Sequence, residues 1–171
     1  RDSVMIKAYI RSEYRYLLFF LVLIMMTPLF TGGITNIVNG FIVSHYPCII
    51  LNNIYILIIY KRIHFFRKLK DIVIPRTGNK RFYIWNAVYS ICSLFIYAAV
   101  LFLFFGNVYI IETAEMAAVF IAFCVEILLL FTLMEALIYL QLLFDKNIVF
   151  VVLAVLTNLY FHYVIILQYY Y

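Results

Sequence analysis

The chain has 171 residues, of which 68% are hydrophobic, 20% are aromatic and only 12% are charged. Water-soluble domains are about 45–50% apolar and about 25% charged, so this composition excludes a soluble globular protein. It also excludes a disordered chain and, despite the net charge of +5, a nucleic-acid-binding domain, because both need an extensive polar surface. We therefore predict one all-α, polytopic transmembrane domain that covers residues 16–171.

The first fifteen residues precede the first apolar run and carry four basic residues. Apolar and charged side chains alternate there at roughly helical spacing. This pattern predicts either an amphipathic helix at the cytoplasmic interface or a basic juxtamembrane tail, over residues 1–15. Because the chain begins with Arg1 rather than Met, we expect that some N-terminal residues are missing.

Long stretches without Asp, Glu, Lys or Arg define the spans. They are 45 residues at 16–60, 30 residues at 82–111 and 25 residues at 147–171. A membrane-spanning helix needs about 20 apolar residues, so the first stretch holds two spans that turn at Thr31-Gly32-Gly33. The predicted helical spans are 16–31, 37–60, 82–105, 116–144 and 147–168. Each must be a helix, because lipid offers no partners to backbone polar groups.

The second predicted span and the residue before it are unusually polar, with four asparagines, Ser44 and His45 around Pro47. Pro47 is expected to kink the helix. Two interpretations are open. The helix lines a translocation path, to which we then assign Asn52 and Asn53, or its amides form hydrogen bonds between helices, each worth about 0.6 kcal/mol.

The segment 61–81 carries eight of the thirteen basic residues. A basic extension of the second helix over 61–70 meets a short apolar patch, and Pro75 is expected to stop the helix before a turn at residues 76–79. The positive charge alone would be explained if the segment binds anionic lipid and so anchors the topology of the chain. The patch and the turn instead predict a docking element for a cytoplasmic partner. Its residues are Ile72, Val73, Ile74, Arg76, Thr77 and Gly78.

The basic residues also predict the orientation. All of them precede the first span, fall in segment 61–81 or stand at Lys146, while the connections near Gly32 and Gly106-Asn107 have none. By the positive-inside rule, the N-terminus is cytoplasmic and the C-terminus faces outside.

Two carboxylates, Glu126 and Glu135, lie inside the fourth predicted span. An ionised carboxylate in lipid is costly and normally faces the protein interior or a water-filled cavity. They are nine residues apart and so point to opposite faces of a helix, which excludes a paired acid/base site. We assign both to the candidate translocation path, with hydrogen-bonded packing as the alternative. We expect no intramembrane Lys or Arg as their counter-charge.

The sequence has no nucleophile elbow, no zinc-protease motif and no phosphate-binding loop. The three cysteines lie inside predicted spans without metal-ligand spacing, and His45, His64 and His162 lie on different segments. We therefore predict that the chain is not an enzyme and that it has no catalytic, cofactor-binding or metal-ligating residues.

Residues 71–105 resemble the region around the third span of small bacterial permeases of the type-2 ABC exporter class. The similar features are an Arg-x-Gly turn, basic residues and an aromatic entry into the span. They are carried by Arg76, Gly78, Lys80, Arg81, Phe82 and Trp85. The order of elements is also similar, and the resemblance extends over about residues 60–150.

This resemblance implies that segment 61–81 is a coupling loop that docks a separate ATPase subunit. It also implies a second membrane subunit, a peptide or lipid-like substrate, and a bacterial plasma membrane. The chain departs from the family in having five predicted spans where such permeases usually have six.

The composition leaves a second function open. A high content of Phe, Tyr and Ile with few charges is also typical of non-catalytic structural subunits of large membrane complexes. Such a subunit would belong to a respiratory, organelle-encoded complex of the mitochondrial inner membrane.

Overall fold

The computed structural model describes the backbone of residues 2–144 and 147–169, and the side chains of residues 13–144 and 148–168. The residues outside this description are Arg1, Asp145, Lys146, Tyr170 and Tyr171.

The described chain is built from helices. The α-helices are α1 Asp2–Met25, α2 Thr27–Phe30, α3 Asn52–Thr77, α4 Asn79–Val108, α5 Ala114–Tyr139, α6 Asn147–Tyr160 and α7 Leu167–Tyr169. Three π-helical turns lie at Val38–Ile42, Tyr46–Leu51 and Phe161–Ile166, and a 3-10 turn lies at Leu140–Leu142.

Five stretches are long and apolar enough to cross a membrane. They are Glu13–Phe30, Tyr46–Thr77, Asn79–Val108, Ala114–Leu142 and Ile148–Ile166. The prediction of an all-α domain with five spans is confirmed, and the chain is an integral membrane protein.

The N-terminal segment is helical and continuous with the first span, since α1 runs unbroken from Asp2 to Met25. No separate helix precedes the span within these described residues. The location of the first turns of α1 at a membrane interface stays a prediction.

The second span differs from the predicted helix over 37–60. The chain forms two π-helical turns separated at residues 43–45, and a regular α-helix begins only at Asn52. Pro47 lies at the start of the second turn, and its missing N–H leaves the carbonyl four residues earlier without its helical partner. The helix is therefore broken next to Pro47, rather than kinked at it.

The expectation that Pro75 stops the helix is wrong, because α3 continues through Pro75 to Thr77. Pro75 lies in the last turn of α3, and its missing N–H leaves the carbonyl of Asp71 without its helical partner. The helix ends at Gly78, whose φ of +83° favours glycine. The backbone N–H of Gly78 donates to the Ile74 carbonyl at 2.9 Å. Segment 61–81 is therefore part of a helical hairpin, α3–Gly78–α4.

Aromatic side chains form much of the core between α3, α4 and α5. The rings of Tyr55 and Phe131 stack with their centroids 4.3 Å apart. Phe41, in the first π-helical turn, stacks on Phe105 at 4.0 Å and meets the edge of Phe123 at 5.0 Å. The broken second span is therefore packed against α4 and α5 by aromatic contacts.

Hydrogen bonds join the connections between helices at the end of the bundle opposite Gly78. The hydroxyls of Thr31 and Tyr109 are 3.1 Å apart, and the Ile110 N–H donates to the Thr35 carbonyl at 2.8 Å. The Thr113 hydroxyl caps α5 by accepting from the Met116 N–H at 3.1 Å. The bundle thus has one end closed by these contacts and another end from which the α3–α4 hairpin extends.

Candidate functional site

A buried cluster of charged and polar side chains joins four helices, and we call it the ion cluster. At its centre is Arg62 of α3, which is 4% exposed. Its guanidinium donates to the Glu13 carboxylate of α1 at 2.7 Å, to the Glu135 carboxylate of α5 and to the Ser93 hydroxyl of α4. The Tyr55 hydroxyl donates to Glu135 at 3.0 Å. One guanidinium therefore connects α1, α3, α4 and α5.

Ser93 completes the cluster on the side of α1, because its hydroxyl donates to Glu13 Oε1 at 2.7 Å. Arg62 pairs with two carboxylates, so these three groups carry one net negative charge when all are ionised. A buried ion pair is weak evidence for net stability, since desolvation opposes the attraction between the charges. Removal of one partner, however, leaves an uncompensated buried charge, which is strongly destabilising. Arrangements of the four helices that separate these groups are therefore disfavoured.

The expectation that Glu135 has no basic counter-charge is wrong, because Arg62 pairs with it. The predicted second span ended at residue 60, which placed Arg62 outside the bundle. In the structure α3 continues past this point, and α5 brings Glu135 against it. The signals in the sequence that indicate such a pair were a carboxylate inside one span, Glu135, and an arginine just past the predicted end of another, Arg62.

The candidate path residues have different surroundings. The Asn52 side-chain amide donates to Oδ1 of Asn158 at 3.1 Å, and the Asn158 side-chain amide donates to Oδ1 of Asn53 at 3.1 Å. These bonds between α3 and α6 agree with the interpretation of the second span as a source of interhelical hydrogen bonds. Glu135 belongs to the ion cluster, and Glu126 is half-buried on α5. A translocation path along these four residues stays a prediction.

Asn158 offers a direct test of these amide contacts, because it is fully buried and bonds both Asn52 and Asn53. We expect Asn158→Leu to destabilise the purified chain by about 1 kcal/mol, since interhelical bonds in membranes average about 0.6 kcal/mol each. Denaturant unfolding in detergent measures this. The matched control is Thr157→Val, because the exposed Thr157 hydroxyl donates only to the Leu153 carbonyl of its own helix. Equal losses in both variants would contradict the assignment.

The structure also brings together two histidines that the sequence placed on different segments. Nδ1 of His45 and Nε2 of His162 are 2.7 Å apart, within hydrogen-bond distance. His162 is fully buried in the last π-helical turn, and His45 lies at the break in the second span. Within the described residues, no group of three or more metal-ligating side chains is present. The histidine pair therefore joins two irregular segments by a hydrogen bond.

The α3–α4 hairpin carries the predicted docking residues. Ile72 is 56% exposed and Arg76 is exposed, while Val73 and Ile74 are half-buried against the core. The half-buried Thr77 donates its hydroxyl to the Val73 carbonyl at 3.0 Å. Of the predicted apolar patch, only Ile72 therefore faces outward.

Ile72 and Arg76 belong to a longer exposed row, which we call the α3 stripe. It consists of Phe65, Lys68, Ile72 and Arg76. These residues are three or four positions apart and therefore lie on one helix face. The sequence analysis missed Phe65 and Lys68 because it expected Pro75 to stop the helix, so that Arg76 would not share a helix face with them.

Comparisons of the chain with models of protein families, with curated proteins and with solved structures found no significant match. The family resemblance of residues 60–150 therefore has no support from these comparisons. The functional assignment depends on the geometry of the ion cluster and the hairpin.

Proposed function

We propose that the chain is the membrane-spanning permease subunit of an ATP-driven exporter of the type-2 ABC class. In this proposal the α3–α4 hairpin docks a separate ATPase subunit, and a second membrane subunit completes the translocation unit. The substrate is a peptide or a lipid-like molecule, and the membrane is the bacterial plasma membrane.

The length of the hairpin is the observation that carries this proposal. The span Tyr46–Thr77 has 32 residues and its partner Asn79–Val108 has 30. Within them the regular α-helices α3, with 26 residues, and α4, with 30 residues, are about 39 Å and 45 Å long at about 1.5 Å per residue, whereas the hydrocarbon core is about 30 Å thick. Because the Gly78 end carries the basic residues, we place the excess length in water on that side. A helical hairpin that reaches beyond the lipid is suited to contact a soluble subunit.

The chemistry of the α3 stripe also supports a protein partner. Ile72 is a large exposed apolar side chain between the basic Lys68 and Arg76. Basic residues alone would suffice to hold anionic lipid. An apolar side chain that projects into water between them gains free energy when a partner covers it, about 1.5–3 kcal/mol for full burial.

The ion cluster supplies a connection from the docking site into the bundle. The α3 stripe and Arg62 belong to the same continuous helix, and Arg62 contacts α1, α4 and α5. A displacement of the hairpin by an ATPase subunit would therefore act on all four helices at one point. We propose that the ion cluster couples hairpin movement to the arrangement of the spans.

The proposed orientation follows the distribution of charge. The Gly78 end carries Arg67, Lys68, Lys70, Arg76, Lys80 and Arg81. The connections at the opposite end, around Gly32 and Ile110, have no Lys or Arg. The positive-inside rule therefore supports a cytoplasmic hairpin and N-terminus, with the C-terminus outside.

The docking proposal is tested by purifying the tagged chain in mild detergent from the cell that encodes it. We expect an ATPase subunit to copurify in stoichiometric amount and to be identified by mass spectrometry. Ile72→Ser should reduce its recovery about tenfold or more, because the loss of one buried isoleucine contact costs at least about 1.4 kcal/mol of binding.

Ile110→Ser is the matched control, because Ile110 is 53% exposed, close to the 56% of Ile72, at the opposite end of α4. It should leave the recovery of the ATPase subunit unchanged. Copurification of many membrane subunits without an ATPase would overturn the proposal and favour a structural subunit of a larger complex, in which case Ile72→Ser should leave assembly intact.

A further inference from the structure

A groove between α4 and α5 opens beside the ion cluster, and its volume is about 330 Å³. Its walls are mainly apolar and include Ala87 and Leu94 of α4 and Thr132 and Ala136 of α5. This volume is within the range of about 300–1,000 Å³ that is typical of small-molecule sites. The groove is therefore large enough for an amphipathic molecule.

Two oxygen atoms beside the groove are buried and form no hydrogen bond with any described part of the chain. They are Oγ of Ser90 on α4 and Oε2 of Glu135 on α5. Both residues line the groove, and both are more than nine-tenths buried, with exposures of 5% and 6%. A buried polar atom without a partner costs free energy, particularly in lipid, where no water replaces the bond. A ligand that donates hydrogen bonds would remove this cost.

The net charge of the ion cluster indicates which kind of hydrogen-bond donor the ligand carries. Glu135 shares the single guanidinium of Arg62 with Glu13, so the three groups carry one net negative charge when ionised. An anionic headgroup next to Oε2 of Glu135 would be repelled. A primary ammonium group offers three donors and the compensating charge.

We propose that this groove is a binding site for a single-chain amphiphile with a primary ammonium group. The ammonium donates to Oε2 of Glu135 and to Oγ of Ser90, and the alkyl chain lies along the apolar walls of α4 and α5. This site does not depend on the docking of an ATPase subunit, so it is tested on the isolated chain.

The test uses dodecylammonium as the probe and the purified full chain in detergent. The number of bound molecules and the apparent Kd are measured by native mass spectrometry over a titration. We expect one retained molecule per chain. Dodecanol, which is neutral, should bind about tenfold more weakly, and dodecanoate, which is anionic, should not bind at this site.

Variants with a larger side chain in the groove distinguish binding of the probe at this site from partition of the probe into the detergent micelle. Ala136→Phe alters an exposed position and Ala87→Phe a half-buried one, and neither residue belongs to the ion cluster. Each should raise the Kd of dodecylammonium about tenfold or more. Ala99→Phe is the matched control, because Ala99 is exposed on α4 and does not line this groove. It should leave the Kd unchanged.

A thermal unfolding curve for each variant shows whether it folds. Because Ala136 is exposed, we expect Ala136→Phe to fold even if Ala87→Phe does not, and the test then uses Ala136→Phe. Equal weakening by Ala99→Phe, unchanged binding in Ala136→Phe, or tight binding of dodecanoate would each overturn the proposal. Retention of the probe to the same extent in all variants would identify nonspecific partition and would also overturn it.

Discussion

Arg62→Met is expected to destabilise the purified chain by about 3–5 kcal/mol, the usual cost of removing one partner from a buried ion pair. The substitution leaves the carboxylates of Glu13 and Glu135 in the interior without the guanidinium that both now contact. Denaturant unfolding in detergent measures the loss. A change of less than about 1 kcal/mol would contradict the role that we assign to the cluster.

A neighbouring residue and a double variant complete this experiment. Lys61 precedes Arg62 but is exposed, so Lys61→Met should change stability by no more than about 0.5 kcal/mol. In Arg62→Met/Glu135→Gln, one of the two uncompensated carboxylates is also removed. We expect the double variant to be more stable than Arg62→Met alone, with a coupling energy of about 1–3 kcal/mol. Strict additivity of the two losses would show that the two side chains do not interact.

Gly40→Ala is the second substitution for which we expect a large loss of stability. A Cβ atom on Gly40 would overlap Cε1 of Tyr109, because the two atoms would be much closer than unbonded atoms approach one another. The Tyr109 ring has little freedom to move, because it stacks on Phe105 and its hydroxyl is 3.1 Å from that of Thr31. Overpacking of this kind costs about 1–3 kcal/mol, which thermal unfolding in detergent can measure.

The chain offers a matched glycine as the control for this substitution. A Cβ on Gly106 would meet the Phe120 ring at 3.5 Å, an ordinary contact. Because alanine also has the higher helix propensity, Gly106→Ala should be neutral or stabilising by up to about 1 kcal/mol. If Gly40→Ala were as stable as Gly106→Ala, the close contact between the π-helical turn and Tyr109 would not exist in the folded protein.

The two wrong expectations about prolines show the limits of rules that consider only the local sequence. Pro47 lies inside the predicted second span and Pro75 follows a basic helical segment with a short apolar patch, yet the helix is broken beside Pro47 and continues through Pro75. The difference is where each proline falls in its helix. Pro75 is in the last turn of α3, so the helix ends two residues after it, whereas Pro47 lies within its span, just after residues 43–45, which separate the two π-helical turns.

The docking segment shows a similar limit. The sequence indicated a turn over residues 76–79, but it attributed the end of the helix to Pro75 rather than to Gly78. It did not show which of Ile72, Val73 and Ile74 face outward, since that depends on the rotation of α3 against its neighbours. The structure leaves Ile72 exposed and packs the other two against the core.

By itself the sequence determined that this is an all-α membrane protein with five spans and a basic segment between the second and the third. These features depend only on the order of residues, because lipid excludes charge from spans and requires each span to satisfy its own hydrogen bonds. The tertiary structure alone decided that Arg62 meets Glu13 and Glu135, that His45 meets His162, and that Asn158 bridges Asn52 and Asn53. These contacts join residues distant in the sequence, and they form only when helix rotation and packing bring their faces together.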